Sequence, residues 1–189
     1  MLHLNFTPFP RLTTDRLQLR RLTIKDAKEI MILRSDEQVN KFLDRSKSAT
    51  INDAKNFIEK ILGAIKKNQS VYWAITLKDE DTLIGTICLW NMSLENNMAE
   101  IGYELHPDFQ GRGLMQEAIA MVTDYGFNKV NLKVITAFTH VNNIRSTNVL
   151  LKNGFLLDKN YKYAGKEEAG ELLVYYLKND SKIVVGFIK

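Results

Sequence analysis

The stretch that most constrains this chain is a glycine-bearing loop between a strand pattern and a helix pattern. The segment MAEIGYEL at 98–105 has the β-rich composition of a strand, and apolar residues at helical spacing begin at Met115. Gly111 and Gly113 stand where that helix must begin, although glycine there costs backbone entropy. The first amides of a helix have no intrahelical partners, and the helix dipole adds partial positive charge. The loop therefore indicates an anion site, for which a phosphate or diphosphate is the natural ligand, the alternative being a plain turn.

The segments around this loop predict the order of a sheet. LKVITAFT at 132–139 follows the helix and has the pattern of a strand, so this β-α-β unit is expected to be parallel. VYWAITL at 71–77 and TLIGTICLW at 82–90 are joined by a polar KDED, which predicts a hairpin, and the strands from 71 to 105 are expected to be antiparallel. Further strands are predicted at 16–22, 155–163 and 171–178. The chain is therefore expected to be an α+β domain with a mixed sheet.

Capping residues mark where the helices begin. The predicted caps are Thr23 with Asp26, Thr50 with Asp53, and Asn143. Apolar residues three and four apart after Thr50 predict a strongly amphipathic helix. The helix that Asn143 opens is predicted over 144–152, and Asn153-Gly154 ends it as a left-handed cap.

Length and composition fit a single domain over 1–189, with a core of about 10–178 and a C-terminal tail at 179–189. The tail is apolar enough to pack against the domain or a second subunit, so monomer and homodimer both stay open. No apolar run approaches the roughly 20 residues that span a bilayer, and we find no signal-peptide pattern. The single cysteine, Cys88, cannot form an internal disulfide, which favours a cytoplasmic location.

The charge pattern constrains the partners only weakly. The net charge of +4 fits an anionic ligand, and it equally fits an ordinary solvated surface. Aromatic residues interleaved with basic ones would support RNA binding, and no such cluster is present. We therefore expect no direct nucleic-acid partner and no membrane partner.

Known phosphate loops narrow the identity of the anion. A dinucleotide loop G-x-G-x-x-G would need glycine at 116, where Gln116 stands, and nothing matches the mononucleotide P-loop. Gln110–Met115 instead resembles the Q/R-x-x-G-x-G/A loop of the GNAT acetyltransferases, which holds the pyrophosphate of acetyl-CoA. Met115 stands where glycine or alanine is usual, but this position contributes its amide, which methionine retains.

Other segments extend this resemblance. Asn143-x-x-Ser146 with LLKNGF at 150–155 is similar to the second motif of the family, N-x-x-S…K-x-G-F. RLTTDRLQLRRLTIKDA at 11–27 resembles the opening of the Rim-type branch, the ribosomal-protein alanine/serine N-acetyltransferases. The resemblance covers roughly residues 10–178 and implies direct transfer of acetyl from acetyl-CoA to a primary amine.

The resemblance also implies a layout for the site. It predicts a GNAT-like, mostly antiparallel central sheet flanked by helices, whose predicted fourth and fifth strands part to form the acetyl-CoA cleft. Backbone amides near Leu105 and His106 are expected to hold the pantetheine arm and polarise the thioester oxygen. The residues expected to bind acetyl-CoA are Leu105, His106, Gln110, Gly111, Arg112, Gly113, Leu114, Met115, Asn143 and Ser146. No metal is expected, because no cluster of histidine and cysteine residues is present.

Two side chains are candidates for the proton transfers. Glu104 shares a strand face with Glu100 and is expected to act as general base through a water, the alternative being a solvated strand glutamate. Leu150 stands where many relatives carry a tyrosine thought to protonate the leaving thiolate. Ser146, one helical turn after the cap, is then the candidate proton donor, the alternative being a plain helix-surface serine.

The acceptor amine is constrained by its pKa. Freeing an α-amine of its proton near pH 7 costs about 1.4 kcal/mol, whereas freeing a lysine amine costs about 4.6 kcal/mol, which favours a protein N-terminus. The resemblance to the Rim-type branch implies a ribosomal protein as the acceptor. A polyamine, an amino acid or an aminoglycoside stays open, as does a domain that binds acyl-CoA without turnover. Tyr175 and Tyr176 alternate faces on the last strand, so one of them is a candidate to face the acceptor cleft, although core packing is the favoured role. Glu171 is a candidate contact for a cationic acceptor.

Overall fold

The computed structural model describes residues 2–43, 45, 47–160 and 172–179. Glu171, the last three residues of the strand predicted at 155–163, and tail residues 180–189 lie outside this part of the chain. Within 155–160 the predicted strand is too long, since only Leu156–Leu157 pair as a strand. The strands are β1 (Leu12–Thr13), β2 (Leu17–Arg21), β3 (Val71–Leu77), β4 (Leu83–Ser93), β5 (Met98–Leu105), β6 (Val134–His140), β7 (Leu156–Leu157) and β8 (Leu172–Lys178). The helices are α1 (Ala27–Ser35), α2 (Glu37–Asn40), α3 (Ile51–Lys66), α4 (Leu114–Asn128) and α5 (Ile144–Lys152), with 3-10 turns at Ile24–Asp26 and Pro107–Phe109.

The strands form one mixed sheet in the order β1-β2-β3-β4-β5-β6-β8-β7. The predicted hairpin of β3 and β4 is confirmed, and β4 and β5 are antiparallel as expected. β5 and β6 are parallel, which confirms the β-α-β unit around the glycine loop. β8 lies antiparallel to β6 and to the short β7. The short β1, which the sequence pattern did not predict, extends the sheet beyond β2.

The predicted fourth and fifth strands are β5 and β6, and they part as expected. Their ladder holds only three residue pairs, which are Met98 with Val134, Ala99 with Ile135, and Glu100 with Thr136. Beyond Glu100, β5 stays paired with β4 as far as Leu105, while β6 stays paired with β8. A cleft therefore opens in the middle of the sheet.

Local signals place the helix ends close to where the sequence predicts them. At the start of α3, the Thr50 hydroxyl accepts from the Asp53 amide (3.2 Å) and the Asp53 carboxylate accepts from the Thr50 amide (2.8 Å). α5 begins after Asn143, whose Oδ1 accepts from the Ser146 amide (3.1 Å), and it ends at Gly154 with φ of +80°. The cap at Thr23 opens a 3-10 turn first, and α1 follows it.

Different helices pack on the two faces of the sheet. On one face, α3 lies over β3, where the ring of Phe57 meets that of Tyr72. On the other face, Gly126 of α4 packs closely against Leu89 and Ile135. A Cβ at Gly126 would lie only 3.2 Å from the Leu89 side chain and 3.0 Å from that of Ile135. Within the described residues, no helix is both long and apolar enough to cross a membrane.

Candidate active site

The end of β5 presents backbone groups to the cleft. The amide of His106 donates to the Ile84 carbonyl of β4 (2.8 Å). Because amides alternate in direction along a strand, the Leu105 amide is directed away from β4, toward the side from which β6 has parted. The His106 amide therefore continues the ladder with β4, and the Leu105 amide is the one of the two that is directed toward the cleft.

The glycine loop joins the end of β5 to α4. Gly111 and Gly113 have φ of +77° and +75°, a left-handed region that other residues rarely adopt. The first bond of α4 runs from the Glu117 amide to the Gly113 carbonyl (3.1 Å). Within the described residues, no protein acceptor receives a hydrogen bond from the amides of 111–116. These amides and the positive end of α4 have the chemistry that holds a diphosphate.

Gln110, the first residue of this loop, connects two elements that border the cleft through hydrogen bonds of its side chain. Its Nε2 donates to the Leu105 carbonyl (2.8 Å), and its Oε1 accepts from Arg145 Nη1 (2.7 Å). The side chain thereby connects the end of β5 to the first turn of α5. Both ends of Gln110 are engaged, so its contribution to a ligand site is to fix the loop in place.

Three arginines surround the loop. The exposed Arg112 belongs to it, Arg145 bonds its first residue, and Arg16 Nη1 donates to the Arg112 carbonyl (2.9 Å). Arg16 Nη2 lies 3.5 Å from where a Cβ on Gly113 would stand. Glu117 orients Arg16 by accepting from its Nε (2.7 Å). Only Arg112 was predicted, because Arg16 reaches the loop from the residue before β2, and Arg145 reaches it from α5.

The remaining loop residues provide packing as well as amides. Leu114 is buried and Met115 is half-buried, and both pack against the core at the start of α4. Their side chains hold the helix against the sheet, while the loop glycines stay exposed. This arrangement leaves the backbone, rather than side chains, as the surface that meets a ligand.

The predicted proton donor has a partner that the sequence did not reveal. The hydroxyls of Ser146 and Tyr103 lie 2.8 Å apart, so that β5 and α5 are joined across the cleft. Burial raises the pKa of Tyr103 to about 12, although the hydrogen bond with Ser146 opposes that shift. Leu150 is fully buried in the core and offers no polar group. Asn143 caps α5 through its Oδ1, which places Ser146 one turn into the helix.

Glu104 lies on the opposite face of β5 and is buried rather than solvated. Its Oε2 forms an ion pair with Arg45 Nη2 (2.6 Å), and its Oε1 accepts from the Thr86 hydroxyl (3.1 Å). Thr86 in turn accepts from the hydroxyl of Tyr72 (2.8 Å). The alternative of a solvated strand glutamate is therefore wrong, because Glu104 is buried and ion-paired with Arg45.

Glu100 is a second carboxyl on that face, and it stands at the last residue pair before β5 and β6 part. It is half-buried, and burial raises its pKa to about 7 against the opposing hydrogen bond with Asn91. A groove of about 350 Å³ begins beside it and is lined by Met98, Val134, Thr136, Asp158, Val174, Tyr176 and Lys178. Tyr175 is buried in the core, so Tyr176 is the member of that pair that faces the groove.

Comparison with known proteins connects this geometry to a family. The family described as "Acetyltransferase (GNAT) domain" matches residues 16–156. The N-acetyltransferase YoaA of Bacillus subtilis, itself uncharacterized, is 34% identical over 147 residues, covering 78% of this chain and 83% of YoaA. The ribosomal-protein-serine acetyltransferase of Escherichia coli is 34% identical over 85 residues, covering 45% of this chain and 48% of that protein.

Solved structures agree on the fold. RimL, a ribosomal L7/L12 α-N-protein acetyltransferase solved with coenzyme A, superimposes with a TM-score of 0.79 at 17% identity. The superposition covers 91% of this chain and 99% of RimL. Within the described residues, no group of three or more His, Cys, Asp or Glu side chains has the geometry of a metal site.

Proposed function

This chain is a member of the GNAT acetyltransferase family, and we propose from that premise that it acetylates the α-amine of a protein N-terminus. The ribosomal acceptors named for the Escherichia coli relative and for RimL support this acceptor class, and a ribosomal protein N-terminus is the proposed partner. The proposal places the reaction in the cytosol. The observation that carries the coenzyme site is the row of unpaired amides at 111–116.

Acetyl-CoA, the cosubstrate of the family, supplies an acetyl group that is activated as a thioester. The amides of Gly111, Gly113 and Met115 hold its diphosphate, with Arg112 as the adjacent cation. The absence of a side chain at Gly111, where a Cβ would meet no heavy atom within 4 Å, leaves the approach to the backbone open. Arg16, whose charge is paired with Glu117, holds the loop by donating to the Arg112 carbonyl.

Across the parted strands, the Leu105 amide polarises the carbonyl that the amine attacks. The side-chain Oδ1 of Asn143 caps α5, so the side-chain Nδ2 is the group of this residue that remains for the pantetheine arm. In this proposal the Leu105 amide and Asn143 bind the coenzyme, and the acceptor binds at the opposite face of the sheet.

The departing thiolate needs a proton, and Ser146 donates it. An isolated serine hydroxyl is a weak acid, but Ser146 Oγ lies 2.8 Å from the hydroxyl of Tyr103. As Ser146 gives its proton to the thiolate, the Tyr103 hydroxyl gives a proton to Ser146. The pair thereby takes the place of the tyrosine that Leu150 cannot supply.

The acceptor side of the cleft carries carboxyl groups, of which Glu104 is paired with Arg45. Glu100 and Glu104 lie on this face of β5, and Asp158 lines the groove next to it. Glu104 is the carboxylate that the sequence indicates for deprotonating the amine, and Glu100 is the second one available. An α-amine loses its proton at a cost of about 1.4 kcal/mol near neutral pH, which is about 3 kcal/mol less than a lysine amine requires.

The test is coenzyme-thiol release, measured with a thiol reagent and a panel of amines. The panel contains peptides with N-terminal serine or alanine, the same peptides with blocked α-amines and an internal lysine, spermidine, a free amino acid and an aminoglycoside. Cys88 does not interfere, because burial raises its pKa to about 12 and keeps the thiol unreactive.

We expect release with the free α-amine peptides and the acetyl group on the peptide N-terminus by mass spectrometry. Release with spermidine or the aminoglycoside alone would contradict the proposed acceptor. Tight acetyl-CoA binding without release by any member of the panel would contradict catalysis and favour a binding domain.

A further inference from the structure

We propose that Trp90 forms a binding site for the second residue of the acceptor peptide and selects peptides with an apolar side chain at that position; this inference rests on the proposed acetylation of a protein N-terminus. Trp90 lies on β4, beside the cleft, and neither coenzyme binding nor the proton transfers use it.

Trp90 is exposed in a fold that covers its other aromatic residues. Its side chain is 46% exposed, whereas Trp73, the other tryptophan of the chain, is fully buried. Every other Phe or Tyr side chain that the structure describes is buried or half-buried. Tryptophan offers a large, rigid apolar surface and is therefore enriched where proteins bind partners.

The position of Trp90 connects it to the cleft. It is the register partner of Glu100 on β5, and partners on neighbouring strands share a face of the sheet. This face is opposite to that of Tyr103, which meets Ser146 on the coenzyme side. The indole leans along β5, because a Cβ on Gly102 would lie 3.7 Å from Trp90 Nε1. Since β5 has no pairing with β6 beyond Glu100, the indole borders the opening between these strands.

Gly102 allows the indole to lie over the strand. A Cβ at this position would lie 3.2 Å from Cys88 Sγ, closer than ordinary packing allows, and would meet the indole as well. Because Gly102 has no side chain, the backbone of β5 forms a flat floor between Trp90 and the opening of the cleft.

The spacing fits the second residue of a peptide. Neighbouring strands lie about 4.8 Å apart, so an amine in the opening beside β5 is roughly one strand spacing from the indole that overlies this strand. Consecutive α-carbons are about 3.8 Å apart. With the first residue in the opening, the side chain of the second residue therefore reaches the indole.

The other exit from the cleft leads over the groove that Thr136 and Tyr176 line. There Lys178 Nζ lies over the ring of Tyr176, 5.4 Å from its centroid, so a cation already covers this ring. Among the described residues, no ring and no cation packs on the indole of Trp90. An apolar side chain that binds Trp90 therefore displaces water alone, which favours this exit for the peptide.

The experiment compares two peptides that lack aromatic residues and differ only at the second position, where serine is followed by leucine or by glycine. Values of kcat and KM for acetyl transfer are measured with wild type, Trp90→Ala, Trp90→Phe and Tyr176→Ala. Leu94→Ala is the matched control, because Leu94 is 67% exposed in the turn that joins β4 to β5 and its truncation removes apolar surface from the same hairpin. Melting curves confirm that each variant is folded.

We expect wild type to prefer the leucine peptide by roughly 10-fold in kcat/KM, the low end of what an apolar side chain contributes in an apolar site. The preference should arise from KM, since the contact is made equally in the ground state and the transition state. It should disappear in Trp90→Ala and persist in Trp90→Phe and Leu94→Ala. A preference that survives in Trp90→Ala, or that is lost in Tyr176→Ala instead, would overturn the assignment.

Tryptophan fluorescence provides a readout that needs no turnover. Because Trp73 is fully buried, a peptide-dependent change in the emission of protein saturated with coenzyme A reports on Trp90. The leucine peptide should shift the emission to shorter wavelength, the glycine peptide should shift it less, and Trp90→Phe should show no shift.

The two readouts separate this role of Trp90 from the proposed function. Transfer to both peptides without preference or shift would overturn the role of Trp90 and leave the proposed function intact. Absence of transfer to either peptide would contradict the proposed function. In that case an emission shift with the leucine peptide would still support Trp90 as its binding site, and the absence of a shift would overturn it.

Discussion

Replacing Gly113 with valine should weaken acetyl-CoA binding without unfolding the protein. The residue caps α4 at φ of +75°, so any side chain strains the backbone by about 1–2 kcal/mol, and a β-branched one by more. A Cβ there would stand 3.5 Å from Arg16 Nη2, and the two methyl groups of valine extend beyond it. The loop then relaxes or blocks the diphosphate, and either change removes contacts with the coenzyme.

The magnitude follows from those contacts. A hydrogen bond to a charged group contributes about 1.5–3 kcal/mol, so losing one or two of them weakens binding by roughly 10-fold to more than 1,000-fold. Destabilisation of about 2 kcal/mol lowers the melting temperature of a chain of this size by roughly 4–8 °C. Loss of affinity should therefore greatly exceed what partial unfolding at 20 °C can explain.

Gly154→Val is the matched control. Gly154 has φ of +80°, so valine brings the same backbone strain, but the residue ends α5 and its nearest contact for a Cβ is Leu177, at 3.7 Å. Melting curves should shift similarly for both variants, whereas calorimetry with acetyl-CoA should show a loss of affinity for Gly113→Val alone. Unchanged affinity in Gly113→Val, or an equal loss in both variants, would refute the assignment of the loop.

Three further outcomes follow from the contacts of the site. Turnover should slow by 10-fold or more in Ser146→Ala and in Tyr103→Phe, and the double variant should be little slower than either single variant. Additive effects in steady-state kinetics would contradict the joint action of the two hydroxyls. Arg45→Met leaves the Glu104 carboxylate buried without its counter-charge and should cost about 3 kcal/mol in urea unfolding, most of which Arg45→Met/Glu104→Gln should recover. For Glu100, with its pKa raised from 4.5 to about 7, the unfolded chain releases its proton at lower pH than the folded one, so stability falls between pH 4.5 and 7. The free energy of unfolding of Glu100→Gln, relative to wild type, should therefore rise by about 1–2 kcal/mol between pH 5 and pH 8, a range that allows for solvent screening of a partly exposed group. An equal difference between variant and wild type at both pH values would contradict the raised pKa of Glu100.

Local patterns account for most of the fold. The start of α3 at Ile51 and the span of α5 at 144–152 follow from caps and spacing, which involve residues within a few positions of one another. The hairpin and the parallel β5–β6 pair follow from alternation and chain connectivity. The short β1 carried no such signal, because two residues are too few for a periodicity to show.

The polar partners of the site could not be predicted in the same way. Arg16 meets the Arg112 carbonyl across 96 positions of sequence, and Tyr103 meets Ser146 across 43. Such contacts depend on strand register and on how α4 and α5 lie over the sheet, which no local pattern contains. The hydrogen bond of the His106 amide to the Ile84 carbonyl could not be predicted for the same reason, since it depends on how far the ladder with β4 extends.

The central claim is that the amides at 111–115 bind the diphosphate of acetyl-CoA. The direct measurement is a nuclear magnetic resonance titration of protein labelled with ¹⁵N at glycine, in which the chain offers ten reporters. Gly111 and Gly113 should show the largest amide shifts as coenzyme is added, while Gly63 on α3, with no heavy atom within 4 Å of its Cβ position, should not move. Saturable binding that shifts other glycines and leaves Gly111 and Gly113 unchanged would contradict the account.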